Sequence, residues 1–210
     1  MQLVHVHALF TFGESMQYEL FDKTECGPAQ REDNVFFALL PDNGTAEIAL
    51  RLVTLAAGEA AARRSLAAGG RLHLSVFGVR DRISDRRALL AGDDIATDLP
   101  DEPLRVVFDH MALFQGGQKK PLVLYGKDIG NPGLIEFRRR FCIAAANAGL
   151  GLARHQFEPH VTLLWTPTPM VEHRVETISW EVRDFALVRS FVGHSRHEQL
   201  GRWPLGGRRG

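Results

Sequence analysis

The sequence predicts an α+β protein made of two related half-domains that share a cleft, and three observations carry that expectation. The first is an internal repeat. An apolar strand, Val35-Phe36-Phe37-Ala38-Leu39-Leu40, precedes a helical stretch from about Thr45 to Leu66 and then a strand, Arg71 to Phe77, that carries His73. Pro121-Leu122-Val123-Leu124-Tyr125 precedes a helical stretch from about Pro132 to Ala148 and then a strand, Phe157 to Trp165, that carries His160. The order therefore recurs at an offset of 160 − 73 = 87 residues. The second observation is the alternation inside the two histidine strands. Successive side chains point to opposite faces, which puts His73 with Ser75 and His160 with Thr162. Leu72, Leu74 and Val76, and likewise Val161, Leu163 and Trp165, then form apolar backs. A strand that is apolar behind and offers an imidazole and a hydroxyl in front is buried on one side and faces a polar cleft on the other. The third observation is bulk: 210 residues, 45% of them apolar, suffice for one substantial core or two small lobes sharing an interface.

Number alone does not single out the histidine pattern. Nine histidines and sixteen serines or threonines yield roughly 0.7 His-x-Ser/Thr triplets by chance, so two is a weak excess. The matched surroundings carry the signal, since His5, His7, His110, His155, His173, His194 and His197 lack the pattern.

In chain order, residues 1–30 read as an extension of unknown role. Its alternating His5 and His7 suit incidental terminal residues better than a metal site. A single domain then spans 31–205 as half-domains of about 31–118 and 119–205, and 206–210 read as a flexible tail. Pro41-Asp42-Asn43-Gly44 closes the first strand. The following helix is expected to bury a stripe of Ile48, Leu52, Leu55, Ala62 and Leu66, with Gly69-Gly70 stopping it. Ser84 caps a helix running to about Leu90. Arg80, Arg82, Arg86 and Arg87 either border the cleft or, with Asp81 and Asp85 among them, form a solvated face, which is the preferred reading. Leu104 to Phe108 is a strand and Gln115-Gly116-Gly117-Gln118 a hairpin turn. Asn131-Pro132 starts the second long helix by Asn capping, Leu134, Phe137, Phe141, Ala144 and Ala148 line its buried face, and Gly149 ends it. Arg138, Arg139 and Arg140 fan around the solvent side. Ile178, Trp180, Val182, Phe185 and Leu187 are inward candidates of the closing strands. His194-Ser195-Arg196-His197 reads as a hairpin loop whose two histidines lack the carboxylate or cysteine company of a metal site.

The 25 basic and 25 acidic residues cancel, so no global field draws the protein onto nucleic acid and any RNA contact must be local. Cys26 and Cys142 lack metal spacing and fit a reducing cytoplasm, with Cys142 a small core residue. No signal peptide or membrane span is read, and a soluble, cytoplasmic, monomeric protein is expected.

His73-Leu74-Ser75-Val76 and His160-Val161-Thr162-Leu163 resemble the paired His-x-Thr/Ser-x signatures of the 2H phosphoesterase superfamily, in particular its bacterial 2'-5' RNA ligase-like branch. Val35 to Leu39 is similar to that family's opening strand, Pro159 to the proline before its second motif, and Leu187-Val188-Arg189-Ser190 and Arg202-Trp203-Pro204-Leu205 to its closing strands. The resemblance covers about Arg31 to Leu205. It implies a bilobal, pseudo-two-fold arrangement of two antiparallel sheets with helices outside and a central cleft. It also implies RNA 2',3'-cyclic phosphodiesterase activity on an RNA end or small nucleotide, with His73 and His160 as acid and base, Ser75 and Thr162 as phosphate ligands, and neither metal nor other cofactor. Imidazole suits both roles because its ordinary pKa of about 6.5 leaves both protonation forms available near neutrality. Ser75 keeps the hydroxyl of the commoner threonine. Trp165 stands where the ligase-like branch often has a basic residue.

Overall fold

In the computed structural model the described residues are 33–205 apart from 68–71, 81, 101, 128–129, 154–156 and 192–195. The 1–30 extension with His5, His7 and Cys26, the Gly69-Gly70 stop, His155, His194 and the 206–210 tail lie outside them. The described chain runs β1 (Asn34–Leu39), α1 (Asn43–Ala57), α2 (Glu59–Ala67), β2 (Leu74–Gly78), α3 (Asp85–Asp98), β3 (Leu104–Leu113), β4 (Lys120–Tyr125), α4 (Pro132–Asn147), β5 (His160–Thr166), β6 (His173–Val182), β7 (Asp184–Phe191) and β8 (Arg196–Pro204). The strands form two four-stranded antiparallel sheets, β2-β1-β7-β8 and β5-β4-β3-β6, with helices packed against them. This is the expected α+β architecture. Each sheet draws strands from both halves of the sequence, because β7 and β8 return to flank β1 while β3 crosses to join β4.

One continuous core unites the helices with one face of each sheet. Phe37, Phe141 and Phe185 meet at its centre with ring centroids 5.2 to 5.9 Å apart, and Trp203 stacks on Phe185 at 5.2 Å. Such aromatic pairs each contribute about 0.5–1.5 kcal/mol beyond their buried area. Ile178, Trp180, Val182, Phe185 and Leu187 are all buried, as their alternation predicts. So are Leu134, Phe137, Phe141 and Ala144 of α4 and Ala148 at its C-terminal cap, and Cys142 packs partly buried beside them. Small apolar side chains, Ala38, Ala186 and Val188 on the first sheet and Ala112 and Val123 with Tyr125 on the second, form separate clusters on the opposite faces.

Several local expectations give way to tertiary packing. The first long helix is two helices, because Gly58 at φ 81° turns the chain between α1 and α2 where a side chain is disfavoured. α1 buries Thr45, Ala49 and Val53 in place of the longer residues, leaving Ile48 36% and Leu55 83% exposed. Asp42, read only as a turn former, caps α1 by accepting from the Thr45 amide at 2.7 Å. Ser84 caps α3 as expected, but the helix continues past Leu90 to Asp98. Gly92 inside it is a point of close approach: a Cβ there would lie 2.3 Å from Trp203 Cζ2, and Trp203 Nε1 donates to Asp93 Oδ1 at 2.9 Å. Asn131 does not cap α4. Its amide instead accepts from the Val107 N–H and donates to the Val107 carbonyl, both at 2.8 Å, binding the helix start to β3.

Candidate active site on the two histidine strands

The backs of the two histidine strands, Leu74 and Val76 on β2 and Val161 and Leu163 on β5, are buried in the same core. β2 and β5, each the outer strand of its sheet, pack against one another. His73 stands immediately before β2 and His160 opens β5. The fronts that carry His73 with Ser75 and His160 with Thr162 face away from the shared core and are only half-buried.

The repeat reaches below the level of motifs. On β2, Ser75 pairs with Ala38 and Phe77 with Phe37, which leaves Val76 without a partner. On β5, Thr162 pairs with Val123 and Leu164 with Leu122, so the β4–β5 register skips Leu163. These register shifts stand at 163 − 76 = 87, the offset of the histidines. Each falls directly after the hydroxyl residue and lets the chain turn further apolar side chains inward, as Phe77 and Leu164 show. A consequence corrects the reading of Trp165. Past the shift, Leu164 faces the core opposite Leu122 and Trp165 pairs with Pro121, so Trp165 is turned to the His160 and Thr162 side and is 59% exposed.

The two histidines have different surroundings. His73 lies against Phe36, ring centroids 4.8 Å apart, and against His197 at 5.1 Å, with Phe36 and His197 themselves 5.8 Å apart. His160 lies against Phe114 at 5.1 Å, and Phe114 in turn meets Tyr125 at 5.6 Å. His160 Nδ1 is 2.8 Å from the Glu158 carbonyl. A carbonyl only accepts, so Nδ1 carries the proton and the neutral ring presents Nε2 as an acceptor. Burial pulls the His160 pKa below its ordinary value, and the Glu158 contacts offset this only in part.

Beside His160, Tyr125 is its register partner on β4. Burial and a hydrogen bond with Glu172 raise its phenol far above the ordinary range, and Glu172, also paired with Lys127, is held below it. Asp109 is fully buried where the β3–β6 register shifts. It accepts from the Lys127 amide at 2.9 Å and lies 3.0 Å from His110 Nδ1.

Two of the first-half arginines do other work. Arg80 donates to the Leu152 carbonyl at 3.4 Å and Arg87 to the Ala148 carbonyl at 2.6 Å, so both satisfy the end of α4 and the turn beyond it. Arg139 and Arg140 share Glu136, at 2.7 and 2.8 Å, and Arg138 lies over the Phe157 ring at 4.9 Å. His197 belongs to β8, not to a loop. Sequence reasoning missed it as a neighbour of His73, and missed Phe114 and Tyr125 as the wall beside His160. Among the described residues no group of three or more His, Cys, Asp or Glu side chains is placed to hold a metal ion, and no helix is long and apolar enough to cross a membrane.

Two four-stranded antiparallel sheets with helices packed against them are the arrangement of a known class of fold, that of phosphoesterase and LigT structures. A crystal structure of a phosphoesterase aligns with a TM-score of 0.60 at 21% identity, covering 83% of this chain and 99% of that one. Escherichia coli LigT in complex with ATP aligns at 0.61 and 20% identity, covering 84% of this chain and all of that one, and the same protein in complex with 3'-AMP at 0.57 and 21%, with the same coverage. No protein-family model matches the sequence, and no curated protein matches it either.

Proposed function

We propose that this chain is a 2H-type phosphoesterase that opens the 2',3'-cyclic phosphate end of RNA or of a nucleotide to a 2'-phosphate. The observation that supports it best is the pair of His-x-hydroxyl fronts on adjacent strands, repeated down to the same register shift. The solved structures of like fold add weight, since they are a phosphoesterase and a LigT that binds ATP and 3'-AMP. In this reaction a water oxygen bonds to phosphorus while the bond from phosphorus to the sugar 3'-oxygen breaks on the opposite side. A base takes the water proton and an acid supplies one to the departing oxygen.

His160 is the base. Its Nδ1 proton is committed to Glu158, its Nε2 is an acceptor, and its lowered pKa keeps it neutral near pH 7. His73 is the acid, and the Ser75 and Thr162 hydroxyls donate to the non-bridging oxygens where negative charge accumulates. Two imidazoles and two hydroxyls make a complete set without a metal, so turnover should survive exhaustive chelation. Loss with EDTA and recovery with a divalent ion would replace this reading by a metal-assisted one.

The test is a panel of 2',3'-cyclic mononucleotides, oligonucleotides with a cyclic phosphate end, and 2',5'-linked dinucleotides. Opening of the cyclic phosphates to 2'-phosphates is expected. Hydrolysis of the 2',5'-linked compounds alone would make the protein a small-nucleotide phosphodiesterase, the alternative that its zero net charge favours over long RNA. Binding without turnover of any member would make it a nucleotide- or RNA-binding module.

A further inference from the structure

We infer that His197 completes, with His73, a two-imidazole anion site that takes up a proton when it binds a phosphate-like dianion. The inference rests on the reading above in one respect, that His73 faces the phosphate. Three rings form a compact triangle: His73 to His197 at 5.1 Å, His73 to Phe36 at 4.8 Å and His197 to Phe36 at 5.8 Å. The Phe36 ring is an apolar wall that limits water around both imidazoles, so like charges placed on them repel more strongly than in open solvent. With the rings 5.1 Å apart, a second proton on the pair enters against the charge of the first. A dianion bridging the two N–H groups reverses the balance and draws that proton in.

His197 reaches this position through the register of β8. It pairs with Ser190, and Gln199 with Val188, on the face of the first sheet that carries Ala38 and Ser75. Among the described residues, several charged side chains of the surrounding strands have partners of their own. Arg202 on β8 is paired with Asp184 at the start of β7, and Arg196 lies over the Phe191 ring at 4.9 Å. Arg189 of β7 is paired with Asp85, and Glu198 is its register partner on the opposite face. β1 contributes Asn34, Phe36 and Ala38 to this face, without a charge, and Asp33 beyond its end acts on Arg189. β2 adds only Ser75 beside His73, and β5, which packs on β2, brings His160. The arrangement suits a monoester product, which carries one more negative charge than the cyclic diester. Product should be held more tightly as pH falls.

Sulfate is the probe, because it stays a dianion from pH 5 to 8 and any proton taken up belongs to the protein. Calorimetric titration of the full chain with sulfate near pH 7, in two buffers of different ionisation enthalpy, reads that uptake directly. About one proton per sulfate is expected for the unaltered protein, with affinity falling at least about tenfold from pH 6 to pH 8. His197→Phe keeps a ring in the triangle and should lose most of the uptake and the pH dependence, and His197→Tyr should do the same should the phenylalanine variant fold poorly. Uptake unchanged in a folded His197 variant but lost in His73→Phe overturns this inference and leaves the proposed function standing. Sulfate binding and uptake unchanged in His73→Phe as well would overturn both.

Discussion

The two fronts share a register shift and differ in the rings that stand beside each histidine. On the second sheet His160 is fixed by one strong local bond, Nδ1 to the Glu158 carbonyl at 2.8 Å, and shielded by Phe114. On the first sheet His73 lies against two rings that also face each other, Phe36 and the second imidazole of His197. A phenyl ring only excludes water, while a second imidazole brings a group that can share protons. Equivalent positions in a repeated framework have thus acquired unlike neighbours, and under the proposed function this is where the two histidines divide the roles of base and acid.

The largest test of this division removes either ring. His160→Ala and His73→Ala should each lower turnover of a 2',3'-cyclic phosphate by at least about 10²-fold, the scale of a single general base or acid. The pH profiles should then differ, with the acidic limb lost in one and the basic limb in the other. A folded variant with near-normal turnover would sink the two-histidine mechanism. The hydroxyls come next. Thr162→Val keeps its shape and removes a donor, and should cost about 2–4 kcal/mol of transition-state stabilisation while leaving both limbs in place. Ser75→Ala should cost less, because water can enter the smaller space left by serine. Equal rates for Thr162→Val and the unaltered enzyme would mean that the hydroxyl serves the strand and not the phosphate.

The halves also differ behind the site. The first sheet is locked to α3 through Trp203, which fills the space a Gly92 side chain would need and donates to Asp93. Gly92→Ala should destabilise the protein by about 1–3 kcal/mol, as overpacking of a tight core does. Chemical denaturation would measure it, and an unchanged midpoint would show that α3 can move away from β8 at little cost.

What the sequence revealed and what it hid divide along the register shifts. The two motifs, their 87-residue spacing and the inward faces of α4, β6 and β7 were legible because uninterrupted periodicity survives folding. Trp165 and His197 were not. Strict alternation from Val161 puts Trp165 on the buried face, and strict alternation from Trp203 puts His197 there too. In the structure the strand registers skip Leu163 and Leu200 in between, which turns each to the opposite face. A single unpaired residue reverses every side chain beyond it, and neither leucine announces itself as the one that will be skipped. Phe114 was hidden differently. It follows β3 at the hairpin and meets His160 only through two strand pairings, which composition does not encode. In α1, the choice of Ala49 and Val53 over Ile48 and Leu55 as buried residues reflects how closely the helix approaches the sheet, a tertiary distance that favours small side chains.

The smallest expected effect bears on Phe114 and separates the halves most finely. The His160 pKa is lowered chiefly by burial, so its neutral, base-competent form persists to a lower pH than for an exposed imidazole. The acidic limb of kcat/KM for a cyclic phosphate should accordingly lie below the ordinary value of about 6.5. Phe114→Ala removes the ring 5.1 Å away and admits water, which favours the imidazolium. The limb should then move upward toward about 6.5, by less than about one pH unit, with activity lost at mildly acidic pH and little changed at pH 8. Phe36→Ala should leave that limb in place, since Phe36 lies against His73 and His197. A limb that stays fixed in Phe114→Ala, or moves in Phe36→Ala, would mean that His160 is not the base whose ionisation the profile reads.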